Sequence, residues 1–322
     1  MKVSVLGNGL TGLTLAQSLA NQGVKVDIFS EKNISNTNKI QTIGISEKNI
    51  DFFNENILNI KKYLWNIEKI EIYSDNLKDE KLINFERENK RLFSLVRNYD
   101  LINNLYLNLK KNNLVNFKKK ISYQKLIRSK YDLIFNCDYN HFISKKLFNN
   151  RIIKDYNSFA YLTIFEHKKL LSNHIATQIF TKKGPLAFLP ISPTQTSIVY
   201  SIRGKQNINL SELIENYNNR YKILKINKIL KFKLISSNLR SYYHKNIIAF
   251  GDMLHKIHPL AGQGFNMTIR DIKEIHRLIE LKKEHGLDLD TSICSDFENN
   301  TKSKNYIFTS GIDLIYELFN FE

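Results

Sequence analysis

Residues 3–6 form a short apolar run, the mark of a strand buried on both faces. Residues 10–21 follow with Leu13, Leu15, Ala16, Leu19 and Ala20 apolar, which predicts a helix that Gly23 ends. Residues 24–29 alternate as a second strand, so strand, turn, helix and strand fall within about thirty residues, the size of a βαβ half-site. Further on, the pattern predicts short strands at 43–45, 70–74 and 93–96, and helices at about 46–64 and 99–110. A buried strand is expected at 132–136, before a loop at Asp138. From 157 to 203 strands dominate, at 159–166, 176–181, 186–189 and 196–201, which reads as an antiparallel sheet inserted between pieces of a nucleotide-binding domain. A long helical stretch at 211–230, an apolar run at 247–250 and a helix at 268–282 complete the reading.

Two glycine-bearing segments carry the candidate chemistry. Gly7-Asn8-Gly9-Leu10-Thr11-Gly12 lies between the first strand and the first helix. In that position Gly7 permits a sharp turn, Gly9 lets a pyrophosphate approach the backbone, and Gly12 lets the helix pack on the strand. The helix N-terminus offers its N–H groups to phosphate. An acid normally ends the second strand of such a unit and binds the adenosine ribose. Here Ser30 stands at that count and Glu31 follows it, so Glu31 is the expected ribose ligand. About 240 residues later, an apolar run ends in Gly251-Asp252 and leads through His255, His258 and Pro259 to Gly262-Gln263-Gly264-Phe265-Asn266. Asp252 would sit at a strand end and accept hydrogen bonds from ribose or ribityl hydroxyls. The Gly262–Gly264 backbone would offer N–H groups to an anionic reduced flavin. Metal ligation by Asp252, His255 and His258 is not expected, because Gly251 and Pro259 interrupt the helix their spacing would need.

Composition narrows the class. The chain has 322 residues, 42% of them hydrophobic, enough for one large or two intertwined domains. Two cysteines, Cys137 and Cys294, make no disulfide framework and point to a reducing, cytoplasmic setting. No stretch reads as a signal peptide or a membrane-spanning helix. The net charge of +17 comes from scattered lysines without interleaved aromatics. That pattern fits a biased genome, or docking on an anionic membrane face, better than nucleic-acid binding, which is not expected.

The segment from Gly251 to Asn266 resembles the second FAD fingerprint of the single-component aromatic hydroxylases, the para-hydroxybenzoate hydroxylase superfamily. Within it, the likeness is greatest to the ubiquinone-biosynthesis hydroxylases. Gly184-Pro185-Leu186-Ala187-Phe188-Leu189-Pro190, Thr42-Ile43-Gly44-Ile45-Ser46 and Val96-Arg97-Asn98 resemble further segments of that family. The resemblance implies an α/β fold: a Rossmann-like FAD-binding domain (1–66, 91–155, 240–322) with an inserted antiparallel-sheet substrate domain (67–90, 156–239). It implies FAD at Gly7, Gly9, Leu10, Thr11, Gly12, Glu31, Gln41, Arg97, Gly251, Asp252, Pro259, Gly262, Gln263, Gly264, Phe265 and Asn266. NADH or NADPH and O2 would be co-substrates, and a polyprenyl phenol would be hydroxylated through a flavin C4a-hydroperoxide. Pro259 and His258 would border the flavin ring without acting as a base. A biosynthetic complex and peripheral membrane association are the expected partners. The chain departs from the family in having Gln41 where an arginine is usual, Arg97 where Gln or Glu is usual, and Tyr139 where a glycine is usual. It also ends earlier than its relatives usually do. An impaired FAD-binding scaffold, an isoprenoid reductase and a halogenase are the alternatives on the same fold.

Overall fold

A computed structural model describes residues 1–30, 39–75, 81–86, 91–119, 121–204, 209–258 and 262–318. Its first sheet has six strands in the order Tyr243–His244, Ile247–Ala249, Leu133–Asn136, Lys2–Leu6, Lys25–Phe29, Val115–Lys118. All neighbours are parallel except the first pair. The helices Leu10–Asn21, Asn98–Lys110 and Gly264–Glu284 supply Leu13, Leu105 and Ile272 to one core with Val3, Val26 and Phe135 of this sheet. Strands covered by helices on both faces lose the polar alternation of a surface strand, which is why residues 3–6 read as a continuous run.

The second sheet holds nine strands. Its path runs His255–Lys256, Leu230–Leu239, Arg151–His167, Gln195–Arg203, Gly184–Ser192, Ile175–Thr181, Lys69–Ser74, Lys81–Glu86, with Ile223–Ile226 beside Arg151–His167. It is antiparallel except where Ile175–Thr181 meets Lys69–Ser74, so the inserted sheet is mixed. One face packs Tyr161, Phe165, Leu186 and Tyr200 under Leu210 and Ile214 of the helix Leu210–Tyr217. The opposite face lays Ile164, Ala176 and Ile191 on Ile67 and Leu95 of a small antiparallel sheet, Thr42–Ser46, Phe93–Arg97 and Trp65–Ile67. This small sheet joins the nucleotide-type core to the inserted sheet. The strand Arg151–His167 crosses residues 155–156 without ending; a bulge between Asp155 and Ser158 marks the place, with Asn157 at φ 48°.

Among the elements that differ from the sequence reading, three show why. The helix expected at 46–64 ends at Asn56 and is followed by a 3-10 turn, Lys61–Tyr63. Asparagine side chains take over the backbone there: Asn54 Oδ1 accepts from Ile60 N at 2.8 Å and Asn59 Oδ1 from Lys61 N at 3.1 Å. The stretch 211–230 is helical only to Tyr217, because Asn218 Oδ1 accepts from Tyr221 N at 2.8 Å and turns the chain into the strand Ile223–Ile226. The helix Ser292–Leu318 was not legible, since polar Asn299-Asn300, Lys302-Ser303-Lys304 and Asn305 interrupt its apolar face.

Candidate functional site

Gly7 closes the first strand at φ 104°, a conformation that favours glycine. A Cβ on Gly12 would lie 2.2 Å from the Gly7 carbonyl oxygen, so helix and turn meet there at backbone distance. Gly9 caps the helix Leu10–Asn21 without a side-chain hydrogen bond, and a Cβ placed on it would meet no described atom within 4 Å. The first-turn N–H groups of a helix have no partner within it, and the macrodipole adds partial positive charge. Leu10 and Thr11 are half-buried at this end.

The far segment arrives at the same edge. Ile247–Ala249 pairs with Leu133–Asn136, which pairs with Lys2–Leu6, so Gly251 emerges beside the glycine turn. Gly251 has φ 65°, and a Cβ on it would lie 2.5 Å from Thr11 Cγ2. Asp252 follows in a 3-10 turn, Gly251–Met253. Solvent reaches its side chain although protein surrounds it, as on the wall of a crevice. That burial raises its pKa, with His255 and Lys256 opposing the rise.

The third part is the start of the helix Gly264–Glu284. Gly262 has φ 63°, and its Cβ position lies 3.6 Å from Gly44 N. Gln263 stands at the cap position and makes no side-chain capping bond to the helix, and a Cβ on Gly264 would meet no described atom within 4 Å. Asn266 turns inward. Its amide donates to Gly44 O at 2.9 Å and accepts from Ser46 N at 2.9 Å and Asn49 Nδ2 at 2.8 Å. These bonds fix the helix start to the strand Thr42–Ser46 and leave the amide engaged with protein. Phe265 packs at 6.4 Å from Phe53, ring to ring.

Gln41 and Arg97 lie on adjoining chains of the small sheet, where Thr42 pairs with Arg97. Gln41 accepts from Asn98 Nδ2 at 3.0 Å, and Arg97 donates to Gln195 of the inserted sheet. Thr42 Oγ1 and Ser197 Oγ, 2.9 Å apart, form a second link. At the adenosine end Ser30 donates to Asn8 Oδ1 at 2.7 Å. Glu31 and Pro259 lie outside the described residues. His258 is buried, its ring 4.3 Å from Tyr316 and 5.0 Å from Tyr156, and burial lowers its pKa to about 4.

Two relationships went unread in the sequence. His255 Nε2 lies 2.5 Å from Asp271 Oδ2, and Asp271 Oδ1 accepts from Asn305 Nδ2 at 2.9 Å, so His255 serves a buried network. The available signal was Asp271 itself, an acid set among Ile269, Ile272 and Ile275. The Tyr316–His258 ring contact depends on the unread helix Ser292–Leu318.

Comparison with known proteins supports the same reading. No family model matches the chain. It is 29% identical over 153 residues to the 3-demethoxyubiquinol 3-hydroxylase of Escherichia coli (strain K12), covering 44% of this chain and 39% of that protein. It is 22% identical over 210 residues to the mitochondrial ubiquinone biosynthesis monooxygenase COQ6 of Danio rerio, covering 52% and 43%. The matched part thus spans about two-fifths of these relatives' own length. The fold superposes on PqsL of Pseudomonas aeruginosa, a probable FAD-dependent monooxygenase, with TM-score 0.74 over 99% of this chain and 96% of that one at 16% identity. The residues fit FAD, because two helix starts without a side-chain cap, two open glycines and a solvent-reached carboxylate share one edge. The chain is thus similar in sequence to ubiquinone-biosynthesis hydroxylases and similar in fold to a probable FAD-dependent monooxygenase.

Proposed function

We propose that the protein binds FAD at this edge and hydroxylates the aromatic ring of a polyprenyl phenol in ubiquinone biosynthesis. The observation that carries the reading is the packing of Gly251 on Thr11, which joins the two ends of the chain into one site. The N–H groups from Gly9 to Gly12 would hold the pyrophosphate and Asp252 the ribityl hydroxyls. Those of Gly262–Gly264 would face the pyrimidine side of the flavin ring. When bound, FAD reduced by NADH or NADPH would supply, with O2, the oxygen atom placed on the phenol.

The chain's own residues position and shield. Arg97 to Gln195 and Thr42 to Ser197 hold the inserted sheet over the flavin side. Burial keeps His258 neutral at pH 7, so it adds apolar cover against water and no positive charge. No helix among the described residues is long and apolar enough to cross a membrane. A bilayer substrate would then be reached from the surface, through the net charge of +17 and the exposed Ile307 and Leu314 of the last helix. Binding to anionic vesicles that weakens with salt supports this docking; binding indifferent to salt counts against it.

The test is to load the protein with FAD, add NADH or NADPH in air with a farnesylated phenol, and weigh the product. A gain of one oxygen supports the reading, and unchanged phenol with consumed NAD(P)H contradicts it. A second reading, an FAD-binding scaffold without turnover, draws on Tyr139: it is 50% exposed, with the Arg151 guanidinium 4.8 Å from its ring. Bound flavin that neither nicotinamide donor nor an artificial reductant reduces would favour it.

A further inference from the structure

One row of side chains crosses the inserted sheet on the face turned toward the small sheet. Leu162 pairs with Val199, Val199 with Ala187, Ala187 with Gln178, Gln178 with Ile72, and Ile72 with Ile83. Directly paired residues point to the same face, so these six share it. The row one step along the strands, through Ile164 and Ser197, is taken up by packing on Leu95 and by the bond to Thr42. The row on the other side, through Ala160, is covered by Tyr316. Beyond Leu162, which borders the Tyr316 cluster, the row between them lies under neither cover.

Its exposure and chemistry are unusual for a surface. Leu162, Val199, Gln178 and Ile72 are half-buried, Ala187 between them is buried, and Ile83 is 45% exposed on the edge strand. None of the six is charged, in a chain that is 25% charged. The one polar member, Gln178, donates its amide to Leu186 O at 3.2 Å and so presents its methylenes. An uncharged, partly exposed stripe of this kind marks a surface that something apolar covers. The stripe has a direction. At its inner end Leu162 packs against the cluster of Tyr156, Ala160, Leu234 and Tyr316, and the Tyr316 ring lies tilted against His258 of the flavin-side segment. At its outer end it opens at Ile83. Six strands at about 4.8 Å spacing make it roughly 24 Å long.

We propose that this row is the binding lane for the apolar tail of the phenolic substrate, running from the flavin side at Leu162 to the sheet edge at Ile83. The inference rests on the hydroxylase reading for the identity of the ring and on the sheet register for the path of the tail. Ala187, midway, is the point at which bulk closes the lane.

The test uses FAD-loaded protein and a farnesylated phenol with a diazirine at the end of its tail. Irradiation, digestion and mass spectrometry should place the label on residues 175–181 or 69–74, the strands a farnesyl chain reaches from Leu162, and unlabelled farnesyl phenol should compete it away. Label on the exposed face of Ser292–Leu318, or no competed label, overturns the lane. Ala187→Phe, with Val199→Phe as the half-buried alternative should the first not fold, should weaken farnesyl phenol about tenfold more than phenol itself. Equal loss for both ligands overturns it too. Product mass is scored separately. Tail labelling in the lane without an oxygenated product would leave the lane standing and sink the hydroxylase reading, whereas oxygenation indifferent to the tail and to both variants would do the reverse.

Discussion

Gly251 lies against Thr11 so closely that a methyl group on it would come within 2.5 Å of Thr11 Cγ2. The contact holds the Gly-Asp turn against the first glycine turn and is the place where the two halves of the candidate site touch. Gly251→Ala is expected to cost about 1–3 kcal/mol in the unliganded protein, from the clash and from φ 65°. Adding Thr11→Ala should recover the steric part only. Chemical denaturation of the two variants measures both.

Gly9 and Gly12 should separate folding from binding. Gly12→Ala places a methyl 2.2 Å from the Gly7 oxygen and is expected to destabilise the apoprotein by about 2 kcal/mol or more. The Cβ of Gly9→Val meets no described atom within 4 Å, so apoprotein stability should fall only by about 1 kcal/mol, from a poorer N-cap. The substitution should nonetheless weaken FAD by about tenfold or more, because the side chain fills the approach to the helix N–H groups. Melting curves and flavin titrations check the pair.

Asp252 should show the opposite trade. Burial raises its pKa, so the folded apoprotein binds its proton more tightly than the unfolded chain does. Stability then falls as pH rises above the ordinary carboxylate range. Asp252→Asn should therefore stabilise the apoprotein at pH 7 while weakening FAD. A drop in both would assign the carboxylate a structural duty.

Two acid-sensitive groups should act in separate pH windows. His258 has its pKa lowered by burial to about 4, so its contribution is lost as pH falls from about 6.5 toward 4. Asp27 is buried, which opposes ionisation. Bonds from Lys118, Tyr131 and Asn116 and an ion pair with Lys2 outweigh that and hold its pKa at about 2. Its contribution is present above about pH 4 and lost below it, worth about 1–2 kcal/mol after allowing for the solvent-exposed lysines. Denaturation at pH 7, 5 and 3 should show His258→Phe flattening the upper window and Asp27→Asn the lower one.

The parts read correctly from sequence are those where local chemistry and tertiary context agree. The run at 3–6 and the helix at 10–21 are buried on all sides, so their apolar positions leave little choice. Gly7, Gly12 and Gly251 are glycines because neighbouring backbone or side chains leave no room, which made them visible without coordinates. What stayed hidden is relational. The inward turn of Asn266 depends on Gly44 and Ser46, and the His255–Asp271 pair on a short strand meeting a helix. Gln41 and Arg97 read in the sequence as a swap of a donor and a positive charge between two places. The sheet register makes them neighbours, with Arg97 given to Gln195 and Gln41 to Asn98.

The most direct measurement is a flavin-fluorescence titration of the wild type, Gly9→Val and Asp252→Ala. The account predicts saturable binding of one FAD per wild-type chain, weakened about tenfold or more by each substitution, since both ends of the chain build one site. Wild-type protein that never saturates, or affinity that responds to one end and ignores the other, would contradict it.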